Sequence, residues 1–153
     1  MEALELKIPP VAVGFVAVFA MWLLTTFLPA GDVPIAGSVW VAVVLYCVGT
    51  ALSATGVVTF RAAQTTIDPR VPGSTTRLVT HGIYRLTRNP MYVGFTAVLL
   101  GVAVHLSNIY ALLVVPLFVL YMNRFQIYPE ERAMQALFKD EYFQYAERVR
   151  RWL

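Results

Sequence analysis

Apolar residues along this chain come in long blocks separated by short polar punctuation. Val11 to Leu28 is uninterrupted by charge and long enough to span a bilayer. Pro29, Gly31 and Pro34 then mark a turn. Ile35 to Val58 is a second uncharged span, and Gly37, Gly49 and Gly56 in it permit close helix contact. Phe60 to Asn89 changes character. It holds Arg61, Asp68, Arg70, Arg77, Arg85 and Arg88 around Pro69, Pro72 and Gly73, which predicts a loop with room for one short helix. Asn89-Pro90 reads as a helix start, with Asn as N-cap and Pro at the first helical position. Met91 to Leu106 is the third span and Ile109 to Met122 the fourth. Ser107-Asn108 is so tight a connection that the two form an antiparallel hairpin. Each is short for a full crossing unless it borrows flanking residues.

From Pro129 the pattern becomes amphipathic. Met134, Leu137, Phe138, Tyr142, Tyr145, Val149 and Trp152 recur at three and four residues. Pro129 opens this helix, and Glu130 and Glu131 suit its positive end. The expected fold class is all-α: a polytopic membrane protein with about four transmembrane helices plus an amphipathic C-terminal helix, forming one domain over residues 1–153.

Composition narrows this. Apolar residues make up 58% and charged residues 14%, which a soluble domain of this size does not accommodate. The net charge of +3 comes from Arg residues beside apolar spans, a placement that suits anionic lipid headgroups rather than nucleic acid. A single cysteine, Cys47, excludes an internal disulfide and a cysteine metal cluster, and its mid-span position predicts packing. The first apolar run follows Glu2, Glu5 and Lys7 without a small-residue cleavage site, so no cleaved signal is expected. Apart from Lys7 in the N-terminal lead-in, the positive charges fall in 61–88 and after residue 123, while the 29–34 and 107–108 turns carry none. The positive-inside rule therefore puts both termini, the 59–90 segment and the 123–153 segment in the cytoplasm.

No phosphate-binding glycine loop, nucleophile elbow or zinc spacing is present. Two polar clusters remain on one predicted side, 77–92 and 124–131. One reading makes them headgroup anchors, with Tyr in the interface belt and Arg148, Arg150, Arg151 and Trp152 doing the same at the C-terminus. The other makes them a binding site: Tyr84, Asn89 and Tyr92 stand at one helix start, whose free N–H groups take a carboxylate, and Glu130 offers a counter-charge to an ammonium or sulfonium. His81 lies beside this site as a proton acceptor or substrate contact. His105 lies at the opposite end of its span, at the external interface.

The pieces "Phe60-Arg61-Ala62…Thr65-Thr66…Pro69", "Leu78-Val79-Thr80-His81-Gly82-Ile83-Tyr84-Arg85…Arg88-Asn89-Pro90-Met91-Tyr92-Val93-Gly94" and "Glu130-Glu131…Phe138-Lys139-Asp140-Glu141-Tyr142…Tyr145…Val149" resemble the isoprenylcysteine carboxyl methyltransferase family, which includes phospholipid methyltransferase-like members. The resemblance covers roughly residues 55–153. It implies S-adenosylmethionine as methyl donor and a lipidic or amphipathic acceptor. By position it implies donor contacts at Arg77, Leu78, Val79, Tyr84, Asn89, Pro90, Met91, Tyr92 and Glu130. Glu130, Tyr92 and His81 stand as the expected catalytic residues, Gln126 and Arg124 as acceptor contacts, and no metal is expected. The chain departs from the family twice. Asn89 stands where many members have His and cannot ionise. Gln126 stands where the prenylcysteine enzymes have Arg and cannot neutralise a carboxylate, which leaves the acceptor open. The rivals are a non-catalytic membrane interaction or assembly protein that keeps the fold, and a transporter or channel subunit. Spans almost free of charge speak against the latter.

Overall fold

A computed structural model describes residues 5–34, 36–63 and 77–153. Among these the chain is α-helical, with five helices: α1 (Pro10–Phe27), α2 (Ser38–Ala62), α3 (Pro90–Leu106), α4 (Ile109–Met122) and α5 (Tyr128–Arg148). Three stretches are long and apolar enough to cross a membrane, namely α1, α2 and the continuous 40-residue run Ile109–Arg148, and α3 is a shorter apolar helix. This is the all-α architecture of a polytopic membrane protein. Large apolar side chains face outward from it, among them Phe15, Trp22, Trp40, Val44, Leu117 and Leu120. An exterior of that kind is stable against lipid and not against water.

α1 matches its predicted span to within one residue at each end. α2 starts three residues later than expected, because Gly37 adopts a left-handed conformation (φ 76°) that sets the first turn at Ser38. It also runs on past Val58 and takes Phe60 and Arg61 into its last turn. A charge at a helix end is tolerated where its long stem reaches the interface, so the first charge did not mark the helix end. The short helix foreseen in the polar stretch is the 3-10 turn Gly82–Arg85. Thr65, Thr66, Asp68, Pro69, Arg70, Pro72 and Gly73 lie outside the described residues.

α2 and α3 are the most closely packed pair. A Cβ added at Gly94 would lie 2.2 Å from Ser53 Oγ and 2.4 Å from the Gly49 carbonyl oxygen, and one at Gly49 would lie 2.6 Å from the Gly94 carbonyl oxygen. The two backbones therefore touch, which small residues alone permit where lipid supplies no hydrophobic drive. Ser53 Oγ donates to the Met91 carbonyl at 3.2 Å across the same seam. α3 and α4 form the predicted antiparallel hairpin. Ser107 takes a left-handed conformation (φ 49°), and Asn108 Oδ1 caps α4 by accepting from the Tyr110 and Ala111 amides. Asn108 Nδ2 also donates to Asp32 Oδ1 at 2.8 Å and so ties this hairpin to the α1–α2 turn.

Two expectations need correction at the other end of the molecule. Pro129 does not open a separate helix. α4 continues through a π-helical turn, Asn123–Ile127, directly into α5. Proline lacks the N–H that the Phe125 carbonyl would otherwise accept, and the Leu6 N–H takes that place at 3.0 Å. The C-terminal helix is also not one amphipathic rod, since Lys139 has non-helical geometry (φ 43°, ψ −118°) and α5 bends there. Tyr142, Tyr145 and Val149 are brought onto Val79 and Tyr84 in a small second core, with Met134, Phe138 and Phe60 around it. Leu137, counted in the apolar stripe, is exposed. Trp152 packs against the main core between α1, α3 and α4 instead. Cys47 is exposed on the outer side of α2 rather than packed.

Candidate functional site

The polar stretch, the start of α3 and the start of α5 meet at one end of the bundle. Glu130 and Glu131 are adjacent on α5, so their side chains leave the helix about 100° apart and find different partners. Glu130 accepts from the Tyr92 hydroxyl at 2.5 Å. Glu131 takes Arg88 Nη2 at 2.7 Å on one oxygen and Arg151 Nη2 at 2.6 Å on the other. Burial pushes the Glu131 carboxyl up, but the hydrogen bonds and charges of Arg151 and Arg88 outweigh it and hold the group below the usual carboxylate range. Glu130 has no such cation among the described residues. Burial pushes it up to about 7, only partly opposed by the Tyr92 hydrogen bond and reinforced by the neighbouring Glu131.

Arg88 ties this cluster to the C-terminus. Its Nη1 donates to the carbonyls of Ala146 and Val149 at 2.9 and 2.8 Å. Beside it the Arg88 amide donates to the Arg150 carbonyl, and Thr87 Oγ1 and Asn89 Nδ2 both donate to the Arg151 carbonyl. Residues 87–89 and 149–151 thus clasp each other. Asn89 does not act as the expected side-chain N-cap; its side chain is spent on this clasp, and its amide donates to Thr87 Oγ1. The Tyr92 and Val93 amides both donate to the Asn89 carbonyl, so the Tyr92 N–H is not free for a ligand carboxylate. Pro90 occupies the first helical position as foreseen.

Tyr84 is 4% exposed, and its carbonyl accepts from the Tyr145 hydroxyl at 2.7 Å. Its own hydroxyl is buried and has no hydrogen-bond partner among the described residues. It sits where the absent side chain of Gly56 leaves room: a Cβ there would lie 3.5 Å from the Tyr84 hydroxyl and 2.8 Å from Met91 Cγ. A buried hydroxyl without a partner costs free energy unless something occupies it.

The structure therefore brings Tyr84, Asn89, Pro90, Met91, Tyr92 and Glu130 to one end of α3. Val79 is buried behind Tyr84, with Leu78 packed against it. Arg77 and His81 are exposed. Gln126 is fully buried in the π-turn and donates from Nε2 to the Ile8 carbonyl at 2.7 Å, while its Oε1 has no partner among the described residues. Arg124 is paired with Glu5 at 2.5 Å. Glu131 and Arg151 were missed as site residues. The Glu-Glu doublet carried a signal, since two adjacent helical carboxylates need two sets of partners. Arg151 and Trp152, expected as headgroup anchors, turn inward: Arg151 pairs with Glu131, and Trp152 Nε1 donates to Asn123 Oδ1.

An apolar helical bundle with a buried, cation-poor carboxylate at one end defines a membrane protein with a polar cluster at its surface. The chain belongs to the phospholipid methyltransferase family, whose sequence model matches residues 38–141. It is also similar to an uncharacterized protein of Haemophilus influenzae, with 43% identity over 63 residues that cover 41% of this chain and 100% of that protein. No solved structure matches.

Proposed function

We propose that this protein is an S-adenosylmethionine-dependent methyltransferase acting on a lipidic or amphipathic acceptor, with both termini and the site in the cytoplasm. The observation that carries the reading is the pair of unmet demands around Tyr92. Glu130 is a buried carboxylate without a cation, and Tyr84 is a buried hydroxyl without a partner among the described residues. An amino-acid-like sulfonium donor fits both: its α-ammonium answers Glu130, and a polar atom answers Tyr84. Glu130 and Tyr84 would hold such a donor, and its chemistry there would be the supply of an electrophilic methyl to the acceptor's lone pair, with the demethylated thioether as leaving group. Tyr92 orients Glu130 through their hydrogen bond. The α2–α3 seam fixes Met91 beside Tyr84, so the cluster is held by backbone contact rather than by a mobile loop.

Little acid–base chemistry is needed when the acceptor is a neutral amine or an anion, and the rate comes from alignment and exclusion of water. Family membership supports a methyl-transfer role, and the apolar exterior brings a lipidic acceptor to the same end of the bundle. Tritiated-methyl transfer from S-adenosylmethionine to a whole lipid extract tests the reading. A labelled lipid product that disappears with Glu130→Gln is expected. Unlabelled lipids with folded protein would contradict it.

A further inference from the structure

We infer that Arg124, Arg132 and Arg151 form a binding site for the phosphate of an anionic lipid headgroup, and that Glu5 is an internal anion occupying part of it. These three arginines line a cleft of roughly 440 Å³ with Tyr128, Gln135 and Glu131. Three guanidinium groups face one lining carboxylate, and Arg88 also shares that carboxylate. Among the described residues the cleft therefore has a cationic surplus. Glu5 answers it from the N-terminal segment, with Oε1 on Arg124 and Oε2 on Arg132. One carboxylate spanning two guanidinium groups has the geometry of two phosphate oxygens spanning the same pair. The Arg151 and Arg124 guanidinium carbons lie over the Tyr128 and Phe125 rings, 4.5 and 5.3 Å from their centroids, which favours the two cations in place.

Glu5 is built to be displaced. The Glu5 side chain is 12% exposed, but its partners Arg132 and Arg124 are 60% and 39% exposed, and ion pairs that open to water on the arginine side contribute little. The segment carrying Glu5 is docked by the Leu6 amide on the Phe125 carbonyl and by Gln126 on the Ile8 carbonyl. Leu6 itself sits at φ 58°, a left-handed conformation that costs a non-glycine residue energy. A phosphate offers more charge and more acceptor oxygens than a carboxylate and takes both arginines in exchange. The lipid source follows from position, because the cleft lies where the α4–α5 run leaves its uncharged stretch, at the depth of a headgroup. Glu131 faces this cleft while Glu130 faces Tyr92, so binding here and donor binding at Glu130 are separately measurable.

The test is calorimetric titration of the detergent-solubilised full chain with a short-chain phosphatidic acid below its micelle concentration, and with inorganic phosphate. The wild type is expected to bind the lipid at least about tenfold more tightly than phosphate, with affinity falling as salt is raised. Arg124→Gln and Arg132→Gln are expected to weaken lipid binding about tenfold each. Glu5→Gln is expected to tighten it about tenfold, and Glu5→Asp, which keeps the charge but shortens the reach, to tighten it by less. Failure of both Glu5 variants to tighten binding overturns the competition. Equal affinity for phosphate overturns the lipid source, and absence of binding to the wild type and both variants overturns the site.

Discussion

Burial holds the Glu130 carboxyl at about 7 although Tyr92 donates to it, because no cation among the described residues is near enough to favour the charged form. The ammonium of the proposed donor would supply one. Below about pH 7 the free protein carries Glu130 protonated, and binding a cation must first expel that proton. Affinity for the donor or its demethylated product is therefore expected to fall roughly tenfold per pH unit below 7 and to level off above it. A calorimetric pH series from 5.5 to 7.5 checks this, and a flat profile would sink it. In the unliganded protein the sign is opposite: a raised carboxyl favours the proton-bound fold, so Glu130 lowers stability as pH rises from 4.5 towards 7. Glu131 behaves the other way. Its depressed carboxyl contributes stability above the unfolded value of 4.5, lost as pH falls through the lower folded value. Removing it by Glu131→Gln strands Arg88 and Arg151 and is expected to cost about 3 kcal/mol, read as a lowered thermal midpoint in detergent. That the clusters of Tyr92 and Glu130 share one end was legible from the charge pattern and the family resemblance, but their direct hydrogen bond was not. That Glu131 would take both arginines was not, because Arg88 and Arg151 are separated by most of the site's sequence and meet only through the bend at Lys139.

The α2–α3 pair carries the candidate site, since Tyr92 and Met91 start α3 while Gly56 makes room for Tyr84. Gly94→Ala places a methyl against Ser53 Oγ and the Gly49 carbonyl, neither of which can retreat far, and is expected to destabilise the pair by about 1–3 kcal/mol. Gly14→Ala is a matched control, because a Cβ there meets nothing within 4 Å. Thermal unfolding of both in one detergent decides it; equal midpoints would show that the seam is looser than drawn. The apolar blocks were readable because lipid demands long uncharged helices. The breaks inside polar sequence were harder. Nothing in the pattern around 123–128 announced that α4 would continue through a π-turn, since proline there suggests a helix start as readily as a continuation. Its cause is a partner far off in sequence, the Leu6 amide that satisfies the Phe125 carbonyl. The same is true of Asn89, whose capping role was lost to the Arg151 carbonyl.

Seen whole, the molecule is a lipid-facing bundle clamped at one end by Asp32 and Asn108 and gathered at the other into a polar cluster. The proposed orientation, which the charge bias supports, has the polar end in the cytoplasm. A cysteine introduced at Asp32 is therefore expected to react with an impermeant thiol reagent in intact cells while one at Arg148, exposed on α5, does not, in a Cys47→Ser background; reversed labelling would overturn the orientation. The central claim concerns Glu130. Calorimetric titration of S-adenosylhomocysteine into the purified wild type and Glu130→Gln proteins at pH 7.5 tests it most directly. Saturable binding by the wild type, weakened by about 1.5–3 kcal/mol in the variant, is the predicted result. No binding by the wild type up to about millimolar ligand, or equal affinities in the two proteins, would contradict the account.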